Sequence, residues 1–147
     1  MIAHRKKKRD RPAGLDPRWP YRPIRLLLVD DEAVFVDTLS NRLRKKRFKV
    51  SRAYSGQEGI QLLEKANYDV AVLDLRMEAM DGIDVLKIFQ KTAPDLPVII
   101  LTGHGSDNSA KQSLSGGAFD YLSKPCEFEV LLTKIMSAYH TGKEQTD

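Results

Sequence analysis

The sequence predicts an α/β protein built on a doubly wound, five-stranded parallel sheet with helices on both faces. Three observations carry that prediction. Short apolar runs recur at Arg25–Val29, Phe48–Tyr54, Val70–Leu73, Val98–Leu101 and Phe119–Leu122. Runs of this kind suit strands buried on both faces, as in a parallel sheet. Segments of helical character separate them, so β and α alternate five times. Finally, four of the runs end at or near residues capable of chemistry, namely Asp30-Asp31, Asp74, Thr102 and Lys124. The C-terminal edge of an open parallel sheet is where such folds keep their sites.

Composition narrows the class. At 147 residues the chain is long enough for one domain with a proper core, plus an appendage. Hydrophobic residues at 41% and charged residues at 30% match ordinary soluble proteins. The clearest apolar runs are far short of the ~18 residues of a membrane span. The charged N-terminus has no apolar stretch behind it, so it does not read as a secretory signal. The single cysteine, Cys126, forbids an internal disulfide and fits a reducing cytoplasm. Net charge is +4, unevenly distributed. Residues 1–25 hold nine Lys or Arg against Asp10 and Asp16, while residues 26–147 hold fifteen against eighteen carboxylates. The expected body is mildly acidic and carries a basic arm.

Taken in order, residues 1–23 read as that arm. His4 to Arg11 is nearly all basic, and Pro12, Pro17, Pro20 and Pro23 exclude a regular helix. Trp19 and Tyr21 are its two aromatic residues, suited to folding back on the domain or anchoring a partner. The domain is expected over 24–140. Its first helix runs from Ala33 to about Arg47, with Phe35, Leu39 and Leu43 on one face and a basic last turn that suits the helix dipole. Ser55 and Glu58 form a capping-box pattern for the second, whose apolar side is Ile60, Leu62 and Leu63. The third spans Gly82 to Thr92, with Ile83, Leu86 and Phe89 inward. A weak fourth helix follows from Asn108 to Ser115, closed by Gly116-Gly117. The last runs from Glu127 to Tyr139 and is stopped by Thr141-Gly142, leaving 141–147 as a short polar tail.

The strand ends gather three carboxylates, a hydroxyl and an ammonium along one edge. Carboxylates crowded together raise one another's pKa. A hard divalent cation resolves that conflict, and Mg²⁺ enters through one or two carboxylates while keeping waters and phosphate oxygens. Asp31 and Asp74 are the expected direct ligands, with Asp30 helping. Thr102 as a hydroxyl donor and Lys124 as a point charge suit phosphoryl oxygens. Asp74 then reads as a carboxylate nucleophile of the aspartyl-phosphate kind.

Over residues 24–140 the chain resembles the receiver domain of bacterial two-component response regulators, a flavodoxin-like (βα)5 fold. The matching pieces are Leu28-Val-Asp-Asp-Glu32, Val72-Leu-Asp-Leu75 with Met77 and Met80-Asp-Gly82, Ile100-Leu-Thr-Gly103, and Gly117-Ala-Phe-Asp-Tyr-Leu-Ser-Lys-Pro125. The resemblance implies that Asp74 accepts a phosphoryl group from a sensor histidine kinase or histidine phosphotransfer protein. It implies that the backbone carbonyl of Arg76 completes the metal site, and that Thr102 and Tyr121 rearrange together as a switch. It also implies a cis Lys124–Pro125 bond, and places Arg76 and His104 where they tune the phosphoryl lifetime. Two residues depart from the pattern: Glu78 stands where Pro is usual, and Cys126 where Phe is common.

Each of these residues also has a plainer role. Arg76 and His104 read equally as solvated loop side chains. Tyr121 alone would be a half-buried strand residue, and Met77 and Met80 packing groups. Cys126 reads as an inert packed thiol. The basic run is read as a solvated tail in preference to a contact with nucleic acid or an anionic surface, although the cluster from Arg42 to Arg52 supports the latter. The expected function is a stand-alone receiver that switches contacts with a downstream protein and turns over no outside substrate. A phosphorelay shuttle and a nucleic-acid adaptor are the competing classes.

Overall fold

The computed structural model describes residues 19–103 and 107–146. Five parallel strands form one sheet: β1 (Ile24–Val29), β2 (Phe48–Ala53), β3 (Val70–Asp74), β4 (Val98–Thr102) and β5 (Asp120–Ser123). Between and after them run α1 (Ala33–Arg44), α2 (Gly56–Lys65), α3 (Gly82–Thr92), α4 (Asp107–Ser115) and α5 (Phe128–Thr146). The strand order is β2-β1-β3-β4-β5. The chain therefore winds outward in both directions from the β1–β3 pair, which makes that boundary the topological switch point.

The sheet separates two apolar layers. Leu26, Leu28, Val72, Ile99 and Leu101 face one way, onto Val36, Leu39 and Leu43 of α1 and Leu131 and Ile135 of α5. Leu27, Val29, Leu73 and Ile100 face the other way, onto Leu63 of α2 and Val85, Leu86 and Phe89 of α3. Both β3 and β4 are buried along their whole length. Complete burial explains why their sequences are continuous apolar runs rather than alternating ones.

Local chemistry accounts for the helix ends. Ser55 Oγ accepts the Glu58 amide at 3.1 Å, and Glu58 Oε1 reaches back to the Tyr54 amide at 2.6 Å. The back-reach goes one residue past the Ser55 amide of the expected capping box, so that the pair together satisfies two otherwise free donors. Asp81 caps α3 by accepting the Ile83 amide at 2.9 Å.

Several expectations are corrected. On α1 the buried positions are Val36, Leu39, Ser40 and Leu43, and Phe35 is only half-buried. The helix stops at Arg44, three residues early, because Arg47 adopts a left-handed φ of 67° in the turn that follows. On α2 and α3, Ile60, Leu62 and Ile83 pack against the core as expected but stay half-buried. Thr141-Gly142 does not end α5, which continues to Thr146. A lone glycine costs a helix only about 1 kcal/mol relative to Ala, and no proline follows to enforce a stop. Part of the expected polar tail is thus helical.

Residues 19–23, expected to belong to an extended arm, lie against the body. The Trp19 ring meets Phe48 edge-on at 5.2 Å, and Arg47 Nη2 donates to the Tyr21 carbonyl at 2.6 Å. Arg22 reaches Asp69, which also receives Arg25. Residues 1–18 are outside the described range.

Candidate functional site

Asp30 and Asp31 follow the last residue of β1, and Asp74 is the last of β3. The two strands are neighbours in register, Val29 opposite Leu73, so the topology alone brings the three carboxylates together at the switch point. One oxygen from each lies within 4.8 Å of the others. Asp30 and Asp74 are almost fully buried, at 1% and 3% exposure, whereas Asp31 is partly open to solvent.

Hydrogen bonds fix these side chains. Asp30 Oδ1 accepts the Glu32 amide at 3.0 Å, and Asp74 Oδ1 accepts the Arg76 amide at 3.2 Å. Asp31 Oδ2 takes the Glu78 amide at 3.1 Å, joining the loop after β1 to the loop after β3. That second loop must double back tightly. A Cβ at Gly82 would lie 2.3 Å from the Leu75 Cα, so only glycine fits, and the Gly82 amide closes the loop on the Leu75 carbonyl at 3.0 Å.

Thr102, 1% exposed, ends β4, and its carbonyl accepts the Lys124 amide at 2.7 Å. Thr102 is in register with Ser123, and Ile100 with Tyr121, so Thr102 and Tyr121 point to the same face. Tyr121 is half-buried against the α2–α3 layer. The Lys124–Pro125 bond is cis. Lys124 Nζ bonds Asp30 Oδ2 at 2.5 Å and Glu32 Oε1 at 3.2 Å, and stands 4.0 Å from Asp74 Oδ2. It also lies 4.2 Å from the centre of the Phe35 ring. Phe35 packs against the α1–α5 core layer and borders the site through this cation–π contact.

The electrostatics follow from the crowding. Burial, and then the neighbouring Asp30 and Asp31 charges, push the Asp74 carboxyl up to about 6 despite the Arg76 amide and Lys124. Burial opposes the Lys124 charge, but Asp30, Asp74 and Glu32 outweigh it and hold the ammonium above its usual range. Three carboxylates share one ammonium, a donor set of hard oxygens with an uncompensated negative charge. The residues fit a divalent cation such as Mg²⁺.

Of the residues named from sequence, the structure brings together Asp30, Asp31, Asp74 and Lys124, with Thr102 beside them. Arg76 contributes its backbone amide, and its side chain is exposed. His104 lies outside the described residues. Sequence reasoning missed the contacts of Glu32 with Lys124 and of the Glu78 amide with Asp31. The acidic run 30–32 held a signal for the first; the second depends on loop geometry that no spacing reveals.

The response regulator receiver domain model matches residues 26–136. The chain belongs to that family. It is 38% identical over 127 residues to the transcriptional regulatory protein GlrR of Escherichia coli K12, an alignment covering 86% of this chain and 29% of the relative. The fold matches a CheY-like receiver domain protein from Methanospirillum hungatei with a TM-score of 0.81 and 28% identity, over 84% of this chain and 98% of that one. It also matches a response regulator from Burkholderia pseudomallei solved with a phosphorylated aspartic acid and a calcium ion, with a TM-score of 0.74 and 27% identity, over 83% and 72% of the two chains. Receiver domains are signalling switches of two-component systems that bind Mg²⁺ at an acidic pocket and interact with histidine kinases or phosphotransfer proteins. No helix among the described residues is long and apolar enough to cross a membrane.

Proposed function

We propose that this chain is a phosphorylation-controlled binding switch in which Asp74 takes a phosphoryl group from a phosphohistidine of a sensor kinase or phosphotransfer protein. The observation that carries this reading is the buried Asp74 set among Asp30, Asp31 and Lys124 at the switch point of the sheet. An ionised Asp74 oxygen attacks phosphorus, the P–N bond to imidazole breaks, and its electron pair stays on the departing ring. The product is an acyl phosphate on Asp74.

Asp30, Asp31 and Asp74, with the Arg76 carbonyl, would hold Mg²⁺, which supplies the positive charge needed to offset the carboxylates and the transferring oxygens. The Arg76 amide holds one Asp74 oxygen in place while the other faces Lys124. Lys124 and Thr102 are the groups available to bind phosphoryl oxygens. Movement of Thr102 toward them would draw on Tyr121, which shares its face of the sheet, and so change the surface around α4, β5 and α5. The output is a protein contact, and no outside substrate is turned over. We assign the receiver to residues 24–140 and place its activity in the cytoplasm, where its phosphohistidine donors reside.

Incubation with a small phosphodonor in Mg²⁺ and in EDTA tests the metal role. An adduct that forms in Mg²⁺ alone supports it; equal yields in both contradict it. The Arg76 side chain is proposed to prolong the acyl phosphate by pairing with it. Arg76→Ala should shorten the lifetime about threefold, the scale of an exposed ion pair. An unchanged dephosphorylation rate would remove Arg76 from the account.

A further inference from the structure

The end of the molecule opposite Asp74 carries a concentration of charge that the switch does not use. Residues 42–52 hold seven Lys or Arg and no carboxylate. The rest of the body, residues 26–41 and 53–147, holds eight cations against eighteen carboxylates. The positive charge is therefore segregated rather than spread. Arg42, Arg44, Lys45, Lys46 and Lys49 are exposed, across the last turn of α1, the turn after it and the start of the edge strand β2, whereas Arg52, also exposed, lies opposite Leu28 toward the Asp30 end of the sheet. Arg52 pairs with Asp37 at 3.1 Å, and Arg42 stacks over Phe128. Among the described residues, Arg44, Lys45, Lys46 and Lys49 have no ion-pair partner.

Structural needs do not require so many. One or two cations answer the dipole of α1, and one charged residue protects an edge strand from pairing. Four consecutive cations, Arg44 to Arg47, concentrate like charge on one surface, which opposes compactness through self-repulsion. Arg47 is also the residue in left-handed conformation, where glycine is the ordinary choice. Its side chain holds the Tyr21 carbonyl while Trp19 rests on Phe48, between Arg47 and Lys49 in sequence. The segment 19–23 is thus fastened at the border of this patch. The basic run Arg5–Arg11 joins it through only the seven residues 12–18.

We infer that this patch, centred on Arg44, Lys45, Lys46 and Lys49, binds the phosphate backbone of nucleic acid without reading its sequence. Closely spaced exposed cations match closely spaced phosphates, and the release of counterions drives the association. A membrane is the poorer match, because stable attachment takes an apolar signal beside a basic patch. Among the described residues, Tyr21 is the exposed large apolar side chain at the patch; Val34 lies at the far end of α1, and Leu114 and Val130 are on α4 and α5. The patch adjoins the start of β1, through the Ile24 amide on the Arg47 carbonyl, while the acidic site lies past its other end. Phosphoryl transfer and nucleic-acid binding therefore occupy opposite edges of one sheet.

The test is fluorescence anisotropy of a labelled DNA duplex of arbitrary sequence with the full chain. The expected result is binding at about 50 mM salt that weakens with a log–log slope of about −0.9 for each phosphate neutralised, and that is indifferent to duplex sequence. Lys45→Glu/Lys46→Glu/Lys49→Glu should weaken it by at least about tenfold. The charge-matched control Lys65→Glu/Lys87→Glu/Lys91→Glu should change it far less. If the first variant melts early, Lys45→Gln/Lys46→Gln/Lys49→Gln reads the same surface without new charge. No binding at low salt, equal losses in patch and control variants, or tighter binding to phosphatidylserine vesicles than to DNA would each overturn the proposal.

Discussion

Asp69 and Asp74 stand at the two ends of one buried strand, and their surroundings could hardly differ more. Asp69, with its side chain 4% exposed, accepts five hydrogen bonds: from Arg22 Nη1 and Nη2, the Arg25 amide, Arg25 Nε and Arg25 Nη2. Burial alone would raise its pKa, but the two guanidinium groups prevail and hold the carboxyl well below the usual range. Asp74 has burial, Asp30 and Asp31 against its charge, and the Arg76 amide and Lys124 do not make up the difference. One aspartate is satisfied by the fold. The other is left in a state that an added positive charge relieves, the contrast expected between a structural carboxylate and the one proposed as phosphoacceptor.

The comparison can be broken at either end. The largest effect on stability is expected from Asp69→Ala, which strands two guanidinium groups and unfastens residues 19–23. Because both arginines remain reachable by water, the cost should be about 2–3 kcal/mol in urea denaturation. A loss below a few tenths would show that Asp69 does not tie the N-terminal segment to the body. Asp74→Asn should act in the opposite direction, stabilising the metal-free protein by about 1–2 kcal/mol at neutral pH. Saturating Mg²⁺ should erase most of that gain, since it stabilises the wild type more.

Titration gives the smallest but most diagnostic contrast. A carboxyl with a depressed folded pKa contributes stability above its unfolded value near 4, and that contribution fades as pH falls below it. The gap between wild type and Asp69→Asn should thus be flat at neutral pH and shrink in acid. For Asp74, raised to about 6, the ionised form costs stability above that value, and the cost disappears as pH falls from 6 toward 4. Without metal, the advantage of Asp74→Asn should shrink over that window. Parallel pH profiles for the two variants would contradict the contrast.

The two ends were also unequally legible in the sequence. Asp30, Asp31, Asp74, Thr102 and Lys124 were readable because each closes or follows an apolar run, and a parallel sheet sends all such ends to one edge. The fold followed from the same runs. Asp69 gave no such sign, because its partners lie 44 and 47 residues away. Phe35, set on the apolar face of α1 by helical spacing, does pack against that layer, but spacing cannot see the Lys124 ammonium that also meets its ring. Arg47 was read as a helical residue because a basic side chain suits a helix end; its left-handed backbone and its bond to the Tyr21 carbonyl leave no mark in the local pattern. Gly142 was read as a stop, yet Lys143, Glu144 and Gln145 favour the helix and carry it on. Local pattern revealed what local pattern determines; pairings across the sheet and along the N-terminal segment needed coordinates.

The central claim is that Asp74 is the phosphoacceptor. It is tested most directly by intact-mass analysis after incubation with a small phosphodonor and Mg²⁺, comparing wild type with Asp74→Asn. One phosphoryl adduct is expected on the wild type and none on the variant. An adduct of equal yield on both would place the phosphoryl group elsewhere, and none on either would mean a receiver fold without its chemistry.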